Sequence, residues 1–304
     1  MKVFITGASG FIGSYVFRNL VVGGHTILAL KRKTTDLWRI AECADKAEWI
    51  EDSACFDDEL CRFAPDVIIN LAWNGVSSNE RTDWIKQESN ILMQQRLLDI
   101  ALKCGTSKFI GAGSQSEYGD FEGTINENYP VNPKTAYAAT KIASLYILKT
   151  FCELNDIEWY WFRIFPQFGP FESTNWLIPS LIKSIYTQDY MDLTPGEQKL
   201  PYLYVGECAN AIVSPLQSTN KSGIYNVCAN NPQRLKDLVI GIKDRINPNF
   251  ELRFGALPYR YGQSMFMCGD TSRLRENLYV INTSTFEEKM AETIDYYINT
   301  FKEK

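Results

Sequence analysis

The chain has little that would build a metal site or a disulfide framework. Only one of its 304 residues, His25, is a histidine, and its eight cysteines include no C-x-x-C pair. Structural zinc needs closely spaced Cys and His ligands, and disulfide frameworks need a regular Cys spacing in a small secreted chain. We therefore expect no bound metal and eight reduced thiols, which is the usual state of cysteine in the cytosol.

Long apolar runs and an excess of positive charge are also missing. The sequence has no uninterrupted apolar stretch of about 18 residues, so it predicts no contact with a membrane. The net charge is −5 and the basic run at 31–33 is short, which argues against a nucleic-acid partner. The first residues lead directly into an apolar run at 3–5 without the separate regions of a signal peptide. We expect a cytoplasmic protein.

Short apolar runs alternate with longer amphipathic segments through the first half of the chain. The apolar runs lie at 3–5, 26–30, 67–69, 108–110 and 159–162, and the amphipathic segments at 12–22, 84–103 and 136–154. Strands and helices that alternate at this rhythm form right-handed βαβ units. The sequence therefore predicts the α/β class, with a doubly wound parallel Rossmann sheet, and it places the aromatic run at 159–162 in the core.

Turn residues become frequent after Arg163, and the rhythm changes. Helical patterns then follow near 176–187, 206–217, 234–246 and 285–301. This change predicts a smaller, mostly helical C-terminal substrate-binding part. We expect the dinucleotide-binding domain to cover 1–165, with 202–228 returning to it, and the substrate-binding part to cover 166–201 and 229–304.

Three glycines at three-residue spacing follow the first apolar run and precede a helical pattern. Glycine allows a tight turn and a close approach of the backbone to a pyrophosphate, which the free N–H groups of a helix N-terminus can bind. The strand-turn-helix context favours a dinucleotide site over a purely structural turn. We assign cofactor contacts to Gly7, Ser9, Gly10, Phe11, Ile12 and Gly13.

The second predicted strand ends in two cations, Lys31 and Arg32, with no carboxylate before Asp36. An acid at this place hydrogen-bonds the ribose 2′-hydroxyl of NAD, whereas a base accommodates the 2′-phosphate of NADP. The sequence therefore favours NADPH, with NADH as the alternative coenzyme. The plainer interpretation is that both cations are solvated loop residues. Asp52, after a third apolar strand, is assigned to the adenine.

Tyr137 and Lys141 lie four residues apart in a predicted helix and share one face. A nearby ammonium favours the phenolate and brings a phenol with a free pKa of about 10 toward working pH. This pattern is common in helices, but Ser114 ends an apolar strand and can reach the same point. We predict Ser114, Tyr137 and Lys141 as catalytic residues, with Tyr137 as acid or base and Lys141 also binding the nicotinamide ribose.

These motifs together resemble the extended short-chain dehydrogenase/reductases, which include nucleotide-sugar epimerases, dehydratases and ketoreductases. The matching motifs are T-G-x-x-G-F-I-G at 6–13, Asn70-Leu71-Ala72, Asn90, Ser114 with Glu117-Tyr118-Gly119, Tyr137 with Lys141, Arg163 with Gly169-Pro170, and Leu203 to Glu207. The resemblance implies that Leu71 and Ala72 line the cofactor and that Asn90 supports the site. Trp73 follows them and is assigned to the cofactor and to the wall of the sugar pocket, and the alternative is that it only packs the loop. The resemblance also implies a homodimer that pairs helices around 85–103 and 136–152 into a four-helix bundle.

Departures from the family's motifs reduce the number of reactions that the resemblance allows. In the dehydratases an Asp-Glu pair follows the catalytic Ser or Thr, but Gln115 and Ser116 stand here. Epimerase-reductases of the GDP-fucose-synthase type use a Cys and a His, but His25 lies before the second strand. Two reactions remain: reduction of a 4-keto sugar by NADPH, and 4-epimerisation through transient oxidation by NAD. The basic end of strand two favours reduction, because a reductase draws on the NADPH pool.

The substrate implied by the resemblance is a nucleotide sugar, and its contacts are assigned to Asn74, Ser114, Gln115, Ser116, Pro166, Asn175, Lys199 and Arg253. Pro166 replaces the asparagine that touches the diphosphate in the family. Arg253 is therefore assigned as a diphosphate clamp, because a guanidinium binds phosphate through two parallel hydrogen bonds. For Asn175, Lys199 and Arg253 the alternative is an exposed loop position.

The predicted function is the NADPH-dependent reduction of the C4 keto group of a nucleotide-linked 4-keto-6-deoxy sugar, in deoxysugar biosynthesis. One alternative is an NAD-dependent nucleotide-sugar 4-epimerase. Outside catalysis, the alternative is a silent NADP-binding sensor or complex subunit, since a fold does not fix a function. The intact Ser114, Tyr137 and Lys141 argue against a silent protein.

Overall fold

A computed structural model describes residues 1–77, 79–217, 221–260 and 262–302. The strands, in chain order, are β1 (Lys2–Thr6), β2 (Thr26–Lys31), β3 (Glu48–Glu51), β4 (Val67–Asn70), β5 (Lys108–Ser114), β6 (Gly123–Ile125), β7 (Glu158–Ile164), β8 (Gln167–Phe168), β9 (Tyr190–Leu193), β10 (Lys199–Leu200), β11 (Leu203–Tyr204), β12 (Gly223–Val227), β13 (Gln233–Arg234), β14 (Glu251–Phe254) and β15 (Met267–Gly269). The α-helices are α1 (Phe11–Val22), α2 (Phe56–Phe63), α3 (Trp84–Cys104), α4 (Ala136–Leu154), α5 (Leu177–Thr187), α6 (Val205–Val213), α7 (Leu235–Ile246), α8 (Ser272–Asn277) and α9 (Phe286–Lys302).

Seven parallel strands form the central sheet in the order β12-β7-β5-β4-β1-β2-β3. The chain moves outward in one direction from β1 to β3 and then crosses over to β4 on the other side of β1. Ligands of doubly wound sheets bind at such a reversal, beyond the carboxyl ends of the strands. The predicted α/β Rossmann class is confirmed, and the reversal puts the ends of β1 and β4 at the centre of the candidate site.

Both faces of the sheet are buried, which explains why its strands are continuous apolar runs. Val3 and Ile5 pack with α1 and α6 on one face, and Phe4 packs with α3 and α4 on the other. The aromatic run of β7 is buried as predicted, and Trp161 is fully inaccessible to solvent. The third strand differs from the prediction: β3 is a half-buried edge strand that includes Glu48 and Glu51.

The C-terminal part has its own core. Ile182 on α5, Val239 on α7 and Ile294 on α9 belong to one buried apolar cluster. The helical character of this part is confirmed, but the sequence did not reveal its short strand pairs, β9 with β14 and β10 with β13. A strand of two to four residues is too short to show a periodic pattern. The helix predicted at 206–217 ends at Val213 as α6 and continues only as a 3₁₀ turn.

Candidate active site at the carboxyl ends of β1, β4 and β5

The turn between β1 and α1 requires glycine at two positions. Gly7 has a φ of +75°, and a Cβ on it would lie 2.7 Å from the backbone nitrogen of Ala72. A Cβ on Gly13 would overlap the carbonyl oxygen of Gly7. α1 begins after Gly10 without a side-chain cap, so the first N–H groups of the helix remain available for an anion. The turn, here named the phosphate turn, fits a dinucleotide pyrophosphate.

The end of β4 is tied to this turn through Thr6. Its hydroxyl donates a hydrogen bond to Asn70 Oδ1 at 2.7 Å and accepts one from the Ala72 N–H at 3.0 Å. Leu71 and Ala72 therefore lie directly against the turn between β1 and α1, and their assignment to the cofactor stays a prediction. Ser9, Phe11 and Ile12 follow Gly7 at the rim of the same turn and the start of α1.

Arg39 is a residue near the turn that the sequence did not indicate. Its Nη1 donates to the Ser9 carbonyl oxygen at 3.3 Å and its Nε donates to the Phe171 carbonyl oxygen at 2.9 Å. Arg39 thus connects the phosphate turn to the segment after β8. Its place in the loop after the second strand is consistent with a basic residue near the cofactor, but neither of its two contacts can be inferred from its position in the chain.

The residues assigned to the adenosine half lie at the ends of β2 and β3. Lys31 ends β2 and is half-buried, and Arg32 is exposed beyond it. Asp52 is exposed after β3, and its carboxylate accepts a hydrogen bond from Arg96 Nη1 at 2.6 Å, in an ion pair with α3. The assignment of Asp52 to adenine stays a prediction. If adenine binds there, it must share the Asp52 carboxylate with Arg96.

Ser114, Tyr137 and Lys141 come together at the end of β5. Ser114 is the last residue of β5, and Tyr137 and Lys141 are in the first two turns of α4, which Thr135 caps through the Ala138 N–H at 3.2 Å. Burial raises the pKa of Tyr137, while a hydrogen bond with the Ser114 side chain lowers it. Burial is the larger of these two effects on the pKa of Tyr137.

Lys141 is held from two sides. Its Nζ donates to the Ala112 carbonyl oxygen at 2.6 Å and lies 3.4 Å from the ring centroid of Trp73, but 5.8 Å from the ring centroid of Tyr137. Burial lowers the pKa of Lys141 to about 7, although the negative charge of Glu117 opposes this change. Burial therefore disfavours the ammonium form of Lys141.

Trp73 is positioned by α3. Its indole N–H donates to Gln87 Oε1 at 2.8 Å, and its ring meets that of Tyr137 edge-on at a centroid distance of 6.1 Å. The Asn74 N–H donates to Asn90 Oδ1 at 2.7 Å, and Asn90 Nδ2 donates back to the Asn74 carbonyl at 3.1 Å. Asn90 thus fixes the loop after β4, and Asn74 keeps an exposed side chain beside it.

A buried ion pair supports Ser114. The Glu117 carboxylate accepts hydrogen bonds from the Ser114 N–H at 2.9 Å, from Trp161 Nε1 at 3.0 Å and from Arg163 Nε at 2.7 Å. Arg163 also donates to the Glu127 carbonyl oxygen at 3.1 Å. Glu117 and Arg163 are both fully buried. The motifs contain both residues, but their pairing joins β7 to the turn after β5 and only the fold reveals it.

Residues 3–228 match the model of the NAD dependent epimerase/dehydratase family, and this range contains the phosphate turn, Ser114, Tyr137 and Lys141. The chain belongs to this family. The resemblance drawn from the motifs is therefore confirmed, and the protein is a member of an NAD-dependent enzyme family.

Curated relatives align with most of this chain but are distant in sequence. The dTDP-6-deoxy-L-talose 4-dehydrogenase (NAD(+)) of Aggregatibacter actinomycetemcomitans is 22% identical over 88% of this chain and 99% of its own. The CDP-abequose synthase of Salmonella muenchen is 24% identical over 90% of each chain. The structure of a UDP-N-acetylglucosamine 4-epimerase from Methanobrevibacter ruminantium M1, in complex with UDP-N-acetylmuramic acid, superimposes with a TM-score of 0.89 at 22% identity and 98% coverage of both chains. The names of all three proteins refer to nucleotide-linked sugars, and the structural match shows the shared fold.

The remaining residues predicted to contact the substrate are spread over two regions. Gln115 and Ser116 are half-buried beside Ser114, and the Ser116 N–H donates to Ser114 Oγ at 3.1 Å. Pro166 is half-buried between β7 and β8, and its carbonyl oxygen accepts a hydrogen bond from the Leu203 N–H at 3.0 Å. These three residues remain close in the chain to the ends of β5 and β7.

The three polar candidates of the C-terminal part stay predictions. Asn175 is exposed before α5, and Lys199 is exposed on β10. Arg253 on β14 already pairs with Glu251, Nε to Oε1 at 2.9 Å, and its guanidinium lies 3.4 Å from the ring centroid of Tyr190. A diphosphate would have to compete with Glu251 for this arginine.

Within the part of the chain that the structure describes, no helix is long and apolar enough to cross a membrane.

Proposed function

We propose that this protein reduces the C4 keto group of a nucleotide-linked 4-keto-6-deoxy sugar with NADPH, in deoxysugar biosynthesis. The observation that carries the proposal is the cluster of Ser114, Tyr137 and Lys141 with Gln115 and Ser116 in place of the acid pair that dehydration needs. The relative named for 4-dehydrogenation of a dTDP-linked 6-deoxy sugar supports redox chemistry at C4. Because such a reductase draws on the reduced nicotinamide pool, the proposed location is the cytoplasm.

The proposed mechanism uses three side chains around the C4 carbonyl. Ser114 and Tyr137 donate hydrogen bonds to its oxygen and polarise it. When bound, the reduced nicotinamide supplies a hydride to C4. The O–H bond of Tyr137 breaks as the O–H bond of the new alcohol forms, so the proton leaves the phenol. Protonated Lys141 stabilises the phenolate that remains.

The proposed cofactor site combines the phosphate turn with the basic end of β2. Gly7, Gly10 and Gly13 leave space for the pyrophosphate, and Lys31 and Arg32 would accept the 2′-phosphate that distinguishes NADPH from NADH. Leu71, Ala72 and Trp73 would line the nicotinamide half, and Asp52 would contact the adenine. The proposed nucleotide-sugar contacts are Asn74, Gln115, Ser116, Pro166, Asn175, Lys199 and Arg253.

The second candidate function is 4-epimerisation with a tightly held NAD. Two observations favour it: the structure of a nucleotide-sugar 4-epimerase superimposes over 98% of this chain, and the relative from Aggregatibacter carries NAD(+) in its name. An epimerase and a ketoreductase use the same acid-base residues, so their geometry does not separate them. They differ in whether the coenzyme is consumed.

The deciding experiment mixes the purified protein with NADPH or NADH and a panel of CDP-, dTDP- and GDP-linked 4-keto-6-deoxy sugars. We expect stoichiometric loss of the nicotinamide absorbance and an alcohol at C4 in the product NMR spectrum. Interconversion of 4-hydroxy epimers without added coenzyme would instead establish the epimerase. Tyr137→Phe should lose ketoreduction while it still binds coenzyme. Coenzyme binding without turnover on any of these sugars would support the sensor or complex subunit.

We also propose that the protein is a homodimer. The first residues of α3, Trp84 and Ile85, are 65% and 83% exposed, and Tyr146 on α4 is 55% exposed. An apolar face of this kind is typical of an interface, and the family resemblance pairs these two helices with those of a second copy. Ile85→Glu should convert the dimer into a monomer in sedimentation, whereas Val22→Glu on α1 should not. A wild-type monomer would contradict the proposal.

A further inference from the structure

Arg81 lies against the catalytic tyrosine, although no motif indicated it. Its guanidinium carbon is 5.0 Å from the ring centroid of Tyr137, and its carbonyl oxygen accepts the backbone N–H of Tyr137 at 2.9 Å. Its Nε donates to the Val76 carbonyl oxygen at 3.0 Å. Arg81 is therefore anchored both through its backbone and through its side chain, just before the residue that caps α3, Asp83.

Four groups from four elements face Tyr137. Lys141 belongs to the same helix, Ser114 ends β5, Glu117 lies in the turn after β5, and Arg81 lies in the loop after β4. Burial raises the pKa of Tyr137, and Glu117 raises it further. Ser114 and Arg81 act in the opposite direction.

The two cations near Tyr137, Lys141 and Arg81, differ in how readily they lose a proton. Burial lowers the pKa of Lys141 to about 7, and its ammonium is directed to the Ala112 carbonyl and the Trp73 ring. A guanidinium does not lose its proton at the pH values that proteins meet. Arg81 is therefore the cation at Tyr137 whose charge persists when Lys141 becomes neutral.

We propose that Arg81 is a positioning residue that keeps a permanent positive charge beside Tyr137 and stabilises its phenolate. During ketoreduction the phenol O–H bond breaks, the proton moves to the C4 oxygen, and the charge left on Tyr137 is balanced by Arg81 as well as by Lys141. In the reverse oxidation the phenolate takes the proton of the C4 hydroxyl, and the same charge keeps that base available near neutral pH. This inference rests on the proposed function for its catalytic consequence.

The first test measures the ionisation of Tyr137 without turnover. The phenolate absorbance is followed against pH in the complex with NADP⁺, and the spectrum of the matching Tyr137→Phe variant is subtracted to remove the other tyrosines. We expect Arg81→Met to raise the midpoint of the Tyr137 titration by about 1–2 pH units, as the loss of one nearby charge does. Arg81→Lys should restore most of the wild-type midpoint, and Arg62→Met, which removes an exposed charge from α2, should not change it.

The second test follows the oxidation of the C4 alcohol by NADP⁺ against pH. Arg81→Met should move the acidic limb of kcat upward and reduce kcat at neutral pH about tenfold, because less Tyr137 is phenolate. The KM for NADP⁺ should stay unchanged. Both tests are repeated with Arg81→Gln, whose amide can still donate a hydrogen bond to the Val76 carbonyl. If Arg81→Met does not fold, Arg81→Gln therefore still provides the answer.

An unchanged Tyr137 midpoint in a folded, coenzyme-binding Arg81→Met or Arg81→Gln protein overturns the inference. A shifted midpoint in a protein that reduces none of the 4-keto sugars supports the role of Arg81 and rejects the proposed substrate. The spectroscopic and kinetic readouts therefore separate failure of this inference from failure of the proposed function.

Discussion

The Nζ atom of Lys141 lies 3.4 Å from the ring centroid of Trp73, closer than it lies to the ring of Tyr137. The ammonium also donates to the Ala112 carbonyl oxygen. Removal of an ammonium from water is costly, and the aromatic face and the carbonyl compensate only part of that cost. This balance explains why Lys141 has a pKa of about 7 in a fully buried site.

Trp73→Leu should reduce ketoreduction at neutral pH about tenfold. The variant loses a desolvated cation–π contact that is worth about 2 kcal/mol, so the pKa of Lys141 should fall further and less of it should be protonated. The measurement is kcat against pH, and the fall in activity that follows deprotonation of Lys141 as the pH rises should move to lower pH. Trp73→Phe keeps an aromatic face and should keep most of the activity. Equal profiles for Trp73→Leu and wild type would show that the ring does not support the ammonium.

Lys141→Met should stabilise the protein without coenzyme, and more so at pH 6 than at pH 10. The folded pKa of about 7 lies below the ordinary value of 10.5, so between these values the unfolded chain binds more protons and wild-type stability rises with pH. The cost of the buried ammonium is complete below about pH 7 and disappears above about pH 10.5. Urea unfolding at both pH values measures the difference. Lys134→Met, at an exposed lysine, should show no such dependence, and a gain that is equal at both pH values would contradict the prediction.

Glu117→Gln should lower the free energy of unfolding by about 3–5 kcal/mol, because it leaves the buried Arg163 charge without its counter-ion. Ketoreduction should fall with it, since the Ser114 N–H is held by the same carboxylate. Urea denaturation of Glu117→Gln, Arg163→Met and the double variant forms a thermodynamic cycle. The double variant should lose less stability than the sum of the two single changes. Additive losses would mean that the two residues are energetically independent.

Arg32→Glu should lower the ratio of kcat/KM for NADPH to that for NADH by about tenfold or more. A carboxylate at the end of β2 repels the 2′-phosphate and can accept the 2′-hydroxyl of NADH. The matched control is Lys33→Glu, which changes the next exposed charge in the chain. The same ratio in wild type and Arg32→Glu would remove Arg32 from the proposed cofactor site.

Local sequence was sufficient for the fold and for the parts of the site that lie on single elements. Apolar runs that alternate with amphipathic segments predict the central sheet because its strands are buried on both faces. Gly7 and Gly13 were predicted because a tight turn and close helix packing exclude a Cβ. Tyr137 and Lys141 were predicted because a spacing of four residues puts them on one face of a helix.

The groups that surround those residues can be found only in the folded chain. The contacts of Lys141 with Trp73, of Tyr137 with Arg81 and of Glu117 with Arg163 each join elements that are far apart in the chain. Spacing rules describe neighbours within one helix or strand, whereas a charge state depends on burial and on every group within a few ångströms. Local sequence is therefore enough to find the side chains proposed for the chemistry, whereas the packing of β5, α4 and the loop after β4 sets the direction in which their pKa values shift.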